Sequence, residues 1–151
     1  MKIAVLREAA AGETRAALML ESVRGLAAQG LEVHIESGAG AQASVSDHSY
    51  SEAGAIVAGD RRELIESAEV LLCVNRPSDE DIARLKAGAV VIGFLKPLDE
   101  PEALIQLLER RLTAFAMELI PRSTRAQTMD ALSSMATIVG YKSVLLAADR
   151  L

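Results

Sequence analysis

The chain has 151 residues, half of them apolar, and its 16 Lys and Arg face 21 Asp and Glu, a formal net charge of −5. That acidic balance excludes a basic nucleic-acid binder. The apolar share excludes a disordered tail and suits one domain of ordinary size with a core of its own.

Short runs rich in Val, Ile and Leu alternate with longer segments of helical spacing, which predicts the α/β class, a parallel sheet covered by helices. Lys2 to Leu6 reads as the first strand. The Arg7-Glu8 pair then arrives too early to leave room for the apolar region of a secretory signal, so a cytoplasmic protein is expected. Thr14 to Gln29 reads as a helix with Ala17, Leu18, Val23, Leu26 and Ala27 on one face, stopped by Gly30. Leu31 to Glu36 is the second strand, Asp47 can cap a short helix ending near Gly54, and Arg61 to Ser67 supplies another turn or two. Val70 to Val74 is the next strand, closed by Asn75-Arg76-Pro77. Ser78 caps a helix from Asp79 to Leu85, and Gly88 ends it.

Val90 to Leu95 suits a strand buried on both faces. It lies in the longest uncharged apolar run, the nine residues from Ala87 to Leu95. A membrane-spanning helix needs roughly 20, so no crossing of a bilayer is expected. Pro97 and Pro101 frame the start of a helix from Glu102 to Leu112, whose Leu104, Ile105, Leu107, Leu108 and Leu112 form a core-facing stripe. Thr113 to Ile120 reads as a strand that Pro121 breaks. From Asp130 to Leu151 runs the longest helical segment, with Ala131, Leu132, Met135, Ile138, Val139, Val144, Leu145 and Ala148 as candidates for burial. It is still helical at Asp149-Arg150-Leu151, which suggests a domain cut from a longer polypeptide.

Several motifs have ordinary explanations. Gly38-Ala39-Gly40-Ala41-Gln42-Ala43 matches the spacing of a dinucleotide fingerprint, but that chemistry needs a helix N-terminus directly after the glycines. Ser44-Val45-Ser46-Asp47 reads as loop instead, so a tight turn is expected. His48 reads as a solvent-exposed residue near a helix cap, His34 as a sheet-facing or edge histidine, and Cys73 as a small core residue. One cysteine forms no internal disulfide, and two separated histidines make no metal cluster.

Pro121 to Ser134 differs, because it sets polar groups after the carboxyl end of a buried strand, where open α/β folds bind ligands. Arg122 and Arg125 are fixed donors, Gln127 both donates and accepts, and Asp130 and Ser133 lie one helical turn apart. Such a set can grip amide and hydroxyl groups. An ordinary capping loop, with Asp130 or Thr128 satisfying helix amides and the arginines in water, accounts for the same residues.

Continued through Met135-Ala136-Thr137-Ile138-Val139-Gly140-Tyr141-Lys142, this segment closely resembles the signature shared by alanine dehydrogenases and the NAD(H)-binding subunit of proton-translocating nicotinamide nucleotide transhydrogenase. Arg7-Glu8, Gly12-Glu13-Thr14-Arg15-Ala16-Ala17 and Glu36-Ser37-Gly38-Ala39-Gly40 resemble the same family in the same order. The resemblance covers the whole chain and implies a Rossmann-like or flavodoxin-like fold. Family members are more than twice this long and carry a second, NAD-binding Rossmann domain after the final helix. Residues 1–151 would then be the first domain alone, with NAD binding severely weakened and the chain inactive by itself.

Alanine dehydrogenases hold and activate their substrate with an arginine, a lysine and a histidine of this domain. By the resemblance these positions fall at Arg15, Asn75 and Lys96. Asn carries no charge, and a Lys of ordinary pKa is a poor proton exchanger near neutrality. The Asn75 context and the loop from Pro121 to Ser133 resemble transhydrogenase instead. That implies that Arg122, Gln127, Asp130 and Ser133 hydrogen-bond the carboxamide and ribose of NAD(H), with NADP on a partner domain. Transfer between two nicotinamides needs positioning and no side-chain acid or base.

The resemblance further implies a homodimer, docked on a β subunit or NADP-binding domain, with proton movement in separate membrane segments. It places the chain peripherally on the cytoplasmic face of the inner membrane. An alanine-dehydrogenase-like amino-acid oxidoreductase and a non-catalytic structural or binding module are the two other readings.

Overall fold

The computed structural model describes residues 1–150. Six strands form one all-parallel sheet in the order β3-β2-β1-β4-β5-β6: β1 Lys2–Val5, β2 Glu32–Glu36, β3 Ile56–Ala58, β4 Val70–Asn75, β5 Val90–Phe94 and β6 Thr113–Ala116. The helices are α1 Leu20–Ala28, α2 Asp47–Glu52, α3 Arg61–Ser67, α4 Asp79–Arg84, α5 Ala103–Glu109 and α6 Ala131–Arg150. The α/β class expected from the alternating pattern, the Rossmann-like fold implied by the resemblance and the long C-terminal helix are all observed.

Two cores lie on opposite faces of the sheet. On one face Ala4, Leu6, Leu71, Cys73, Val91 and Leu95 pack with Leu64 and Ile65 of α3, Ile82 of α4 and Leu107 of α5. On the other, Val5, Val33 and Ile35 pack with Val23 of α1 and Tyr50 of α2. The second core reaches only Leu72 beyond β1, so Ile92 and Phe94 of β5 stay half-buried and Phe115 of β6 is exposed. A parallel sheet ordinarily has both faces covered; here half of one face carries no helix.

The chain reverses where the sequence supplies caps and left-handed positions. Ser46, Asp60 and Ser78 each accept the amide three residues on at the start of a helix. Ser46, rather than Asp47, caps α2. Asp47 turns back and takes Ser37 Oγ at 2.7 Å and the Gly38 amide at 2.9 Å. The Gly38 turn therefore binds an internal carboxylate and is followed by a 3-10 turn, Ala41–Ala43, with α2 starting later, as the tight-turn reading requires. Gly40 is needed for space: a Cβ there would lie 2.5 Å from the Tyr50 ring.

Four expectations need correction. The helix placed at Thr14 begins at Leu20, because Glu13 binds the Arg15 amide and Tyr50 Oη donates to the Leu18 carbonyl, pinning 14–19 as an irregular loop. The short edge strand β3 has no counterpart in the sequence reading. The strand drawn to Ile120 ends at Ala116 in a 3-10 turn, and β6 is an exposed edge rather than a buried strand. On α5, at that margin, Leu107 is buried while Ile105 and Leu108 face water.

The largest difference concerns α6. None of its burial candidates is buried: only its first turn lies against the rest of the fold, with Ala131, Leu132 and Met135 half-buried, and from Ala136 to Arg150 every residue is exposed. Leu151, the last residue drawn into that helix, lies outside the described residues. This helix is also long and apolar enough to cross a membrane by length and composition, with a mean hydropathy of 1.4 over its most apolar window. Counting uninterrupted apolar runs missed it, because serines and threonines break a run without shortening the helix.

Candidate functional site

Strand order reverses between β1 and β4, and a crevice opens beyond the carboxyl ends of strands at such a point. The chain has a cleft of about 820 Å³ there, lined among others by Arg7, Glu8, Glu13, Arg15, Asn75 and Arg76. Glu8, a few residues past β1, accepts the Val74 amide at 2.6 Å and the Asn75 amide at 3.1 Å. Asn75 closes β4, and its Nδ2 donates to Glu8 at 3.0 Å and to Glu13 at 2.9 Å. Glu13 in turn holds Arg15 through its backbone amide, Nε and Nη2. The Arg15 side-chain hydrogen bond is the main force lowering the Glu13 pKa to about 2, against a burial penalty that raises it.

A second cluster lies at the far wall of the same cleft. Arg61, opening α3, donates Nε and Nη2 to Asp81 of α4 at 3.2 and 2.8 Å, and Nη1 to Glu36 at the end of β2. Both carboxylates are buried, and Glu36 also accepts the Arg7 amide at 2.8 Å. Burial works against the charge of Arg61, but its hydrogen bonds and attraction to Asp81 and Glu36 keep its pKa above the ordinary value. These internal carboxylates take backbone and guanidinium donors that an anionic ligand would otherwise use.

The polar loop lies after β6. Asp130 is buried and caps α6, its Oδ1 accepting the Ser133 amide at 3.0 Å and its Oδ2 the Ser133 hydroxyl at 2.6 Å. Those two bonds hold the Asp130 pKa below the ordinary carboxylate value, with a smaller contribution from the Arg122 charge. Of the four residues expected to form a site, the fold thus joins Asp130 to Ser133 and sets Arg122 within electrostatic reach. Gln127 stands exposed in a 3-10 turn and makes no side-chain hydrogen bond among the described residues. The capping role weighed for Asp130 is present, and it leaves Arg122, Gln127 and Arg125 facing water.

Between loop and cleft runs an apolar groove of about 530 Å³, lined by Met19, Leu72, Ile92, Phe94, Met117 and Met135 among others. Arg15 bridges the two regions: its guanidinium carbon lies 5.7 Å from the Phe94 ring centroid, and Nη1 donates to Met135 Sδ at 2.8 Å. Lys96 adopts a left-handed backbone with φ of 52°, gives its amide to Glu118, and holds Nζ 3.5 Å from Glu100. Among the described residues no three His, Cys, Asp or Glu side chains are grouped to hold a metal. His48 is exposed 3.5 Å from Glu52, and His34 is half-buried in β2, as their ordinary readings require.

Sequence reasoning assigned no role to Glu8, Glu36, Arg61 or Asp81. Glu8 and Glu36 were detectable as charged residues at or just after strand carboxyl ends. Arg61 and Asp81 were not, since only the fold brings α3 beside α4.

The family model for the alanine dehydrogenase/PNT N-terminal domain matches residues 4–139. The NAD(P) transhydrogenase subunit alpha of Cereibacter sphaeroides is 40% identical over 149 residues, covering 99% of this chain and 28% of that protein. The crystal structure of transhydrogenase from Sinorhizobium meliloti superposes with a TM-score of 0.92 at 40% identity, covering 98% of this chain and 44% of that one. Alanine dehydrogenase from Halomonas elongata is 33% identical over 151 residues, covering all of this chain and 40% of that protein. The chain thus spans less than half the length of these relatives.

Proposed function

The chain belongs to the alanine dehydrogenase/PNT N-terminal domain family, and on that premise we propose that it forms part of an NAD(P) transhydrogenase, contributing to hydride transfer from NADH to NADP. The observation that carries this reading is the Asp130–Ser133 pair at the head of α6, with Arg122 and Gln127 beside it in sequence and free of other side-chain partners among the described residues.

The donor set fits a nicotinamide carboxamide and ribose. Such a ligand offers one carbonyl acceptor, amide donors and hydroxyls; Arg122 supplies donors, Gln127 both kinds of group, and Asp130 acceptor lone pairs beyond those Ser133 uses. NAD(H) supplies the hydride chemistry when bound. The chain's residues orient the ring, and Asp130, held charged by Ser133, neither gains nor loses a proton. The loop contains no histidine or cysteine, which suits a transfer that needs only placement.

Alanine chemistry fits less well. At the position of the lysine stands Asn75, its amide spent on Glu8 and Glu13. At the position of the histidine stands Lys96, directed to Glu100. The transhydrogenase relative is also nearer in sequence than the alanine dehydrogenase.

In this reading a second, NAD-binding Rossmann domain, a β subunit or NADP-binding domain with its membrane segments, and a second α subunit complete the enzyme. The uncovered half-face of the sheet and the exposed α6 are surfaces for such protein partners. Lys142 sits near the middle of α6, where burial in a bilayer would cost roughly 3 kcal/mol, so we assign α6 to protein packing rather than to the membrane. This part of the enzyme is then peripheral, on the cytoplasmic face of the membrane. The isolated chain lacks hydride transfer.

The deciding assay uses the whole subunit with its NADP-binding partner, comparing hydride transfer from NADH to an NADP analogue with oxidation of alanine by NAD. Loss of transfer in Gln127→Asn and Asp130→Asn, with no alanine turnover, supports the proposal. Alanine oxidation without hydride transfer to the NADP analogue moves the role to Arg15. Neither activity in the wild-type assembly leaves the non-catalytic module as the reading.

A further inference from the structure

We infer that Arg15 is a positioning residue for the nicotinamide loop, acting through Met135 to set how α6 is turned and so where Ser133 faces; this rests on the loop reading above. From Ala136 onward every described residue of α6 is exposed, and only Ala131, Leu132 and Met135 are half-buried. The helix is therefore held by its first turn. Among the described residues, the bond from Arg15 Nη1 to Met135 Sδ is the only hydrogen bond between α6 and any residue before Asp130.

Arg15 suits this work because it is itself immobilised. Glu13 takes Nε and Nη2 together, at 2.8 and 2.6 Å, and the planar guanidinium then leaves Nη1 one direction in which to point. Phe94 backs the guanidinium carbon at 5.7 Å. Asn75, bonded to Glu13 and Glu8, ties the clamp to the end of β4. A line of fixed groups thus runs from the sheet to the first turn of α6.

Helical geometry converts that contact into orientation. Residues advance about 100° each around a helix axis, so Ser133 stands about 200° from Met135. Met135 is drawn into the groove beside Met117 and Phe94 while Ser133 faces outward to Asp130. If the Met135 anchor slips, α6 rolls about its axis, and Ser133 and the Asp130 carboxylate leave the position the loop gives them. Reacting atoms displaced by about 1 Å can cost on the order of a hundredfold in rate.

The test uses the whole subunit with its NADP-binding partner and reads single-turnover hydride transfer, NADH affinity and melting temperature separately. Arg15→Lys cannot span both Glu13 oxygens and Met135, and Met135→Leu keeps the apolar anchor but removes the acceptor. Each is expected to slow transfer, about tenfold or more for Arg15→Lys and less for Met135→Leu. Melting temperature and NADH affinity change little, and the double variant is no slower than Arg15→Lys alone. Asp130→Asn separates the two readings. If it slows transfer while Arg15→Lys and Met135→Leu do not, the positioning role is overturned and the loop assignment stands. If Asp130→Asn leaves transfer unchanged, the loop assignment falls and the positioning role falls with it. Slowing that tracks lost melting temperature, or that multiplies in the double variant, overturns the coupling.

Discussion

Glu13 grips Arg15 with both carboxylate oxygens, at 2.6 and 2.8 Å, across only one intervening residue. The loop between β1 and α1 is thereby folded on itself, and an irregular segment becomes a rigid support. The Glu13 pKa falls from 4.5 to about 2, led by the Arg15 hydrogen bond.

The sign of the resulting pH dependence follows from linkage. A carboxylate whose pKa is depressed by folding contributes stability above its unfolded value and loses it as pH falls toward the folded value. Glu13→Gln should therefore be less stable than the parent at neutral pH, with the gap closing as pH falls from 4.5 toward about 2. Urea unfolding of both proteins across that range measures it, and a gap that does not depend on pH counts against the clamp.

Gly93→Ala should destabilise the fold. A Cβ there would meet Cys73 O at 2.6 Å and Cys73 Sγ at 2.7 Å. Backbone cannot retreat in the middle of a ladder, so we expect a loss of roughly 1–3 kcal/mol. Adding Cys73→Ala relieves the sulfur contact but leaves the carbonyl, so rescue is partial. Denaturant midpoints of the two single variants and the double variant decide this.

Arg61→Met leaves two buried carboxylates, Glu36 and Asp81, without their counter-charge. Removing one partner of a buried pair costs roughly 3–5 kcal/mol. Arg61 is a third exposed, so about 2 kcal/mol is the expected loss after water shares the burden. Chemical unfolding at neutral pH reads it directly, and an unchanged midpoint would show that solvent replaces the guanidinium.

Cys73 should resist alkylation in the native protein. Burial, with a smaller contribution from the Glu8 charge, pushes its thiol up to about 12, and the thiolate is the reactive form. Iodoacetamide at mildly alkaline pH is expected to label it only after unfolding. Rapid labelling of the folded chain would place Cys73 at the surface of the cleft instead of in the core.

The alternation of apolar runs with helical spacing was enough to determine the α/β class, every strand but β3, and the Ser78 cap at the start of α4. These are local properties: period, propensity and capping act within a few residues of the chain. The Asp130–Ser133 pair was legible for the same reason, being one turn of helix. The edge strand β3 was not, because so short a segment carries too little pattern and a strand exists only by pairing with a neighbour, here β2. Nor was the exposure of α6, since an apolar helix shows that it needs a partner without showing whether one is present. The contacts in the cleft depended entirely on tertiary structure: Asn75 meets Glu8 and Glu13 across separations of 67 and 62 residues, and Arg15 meets Met135 across 120. Contacts between groups so distant in the chain follow from strand order and crossover: the parallel pairing of β1 with β4 sets the segment after β1 beside Asn75, and the return of the chain after β6 brings Met135 to Arg15.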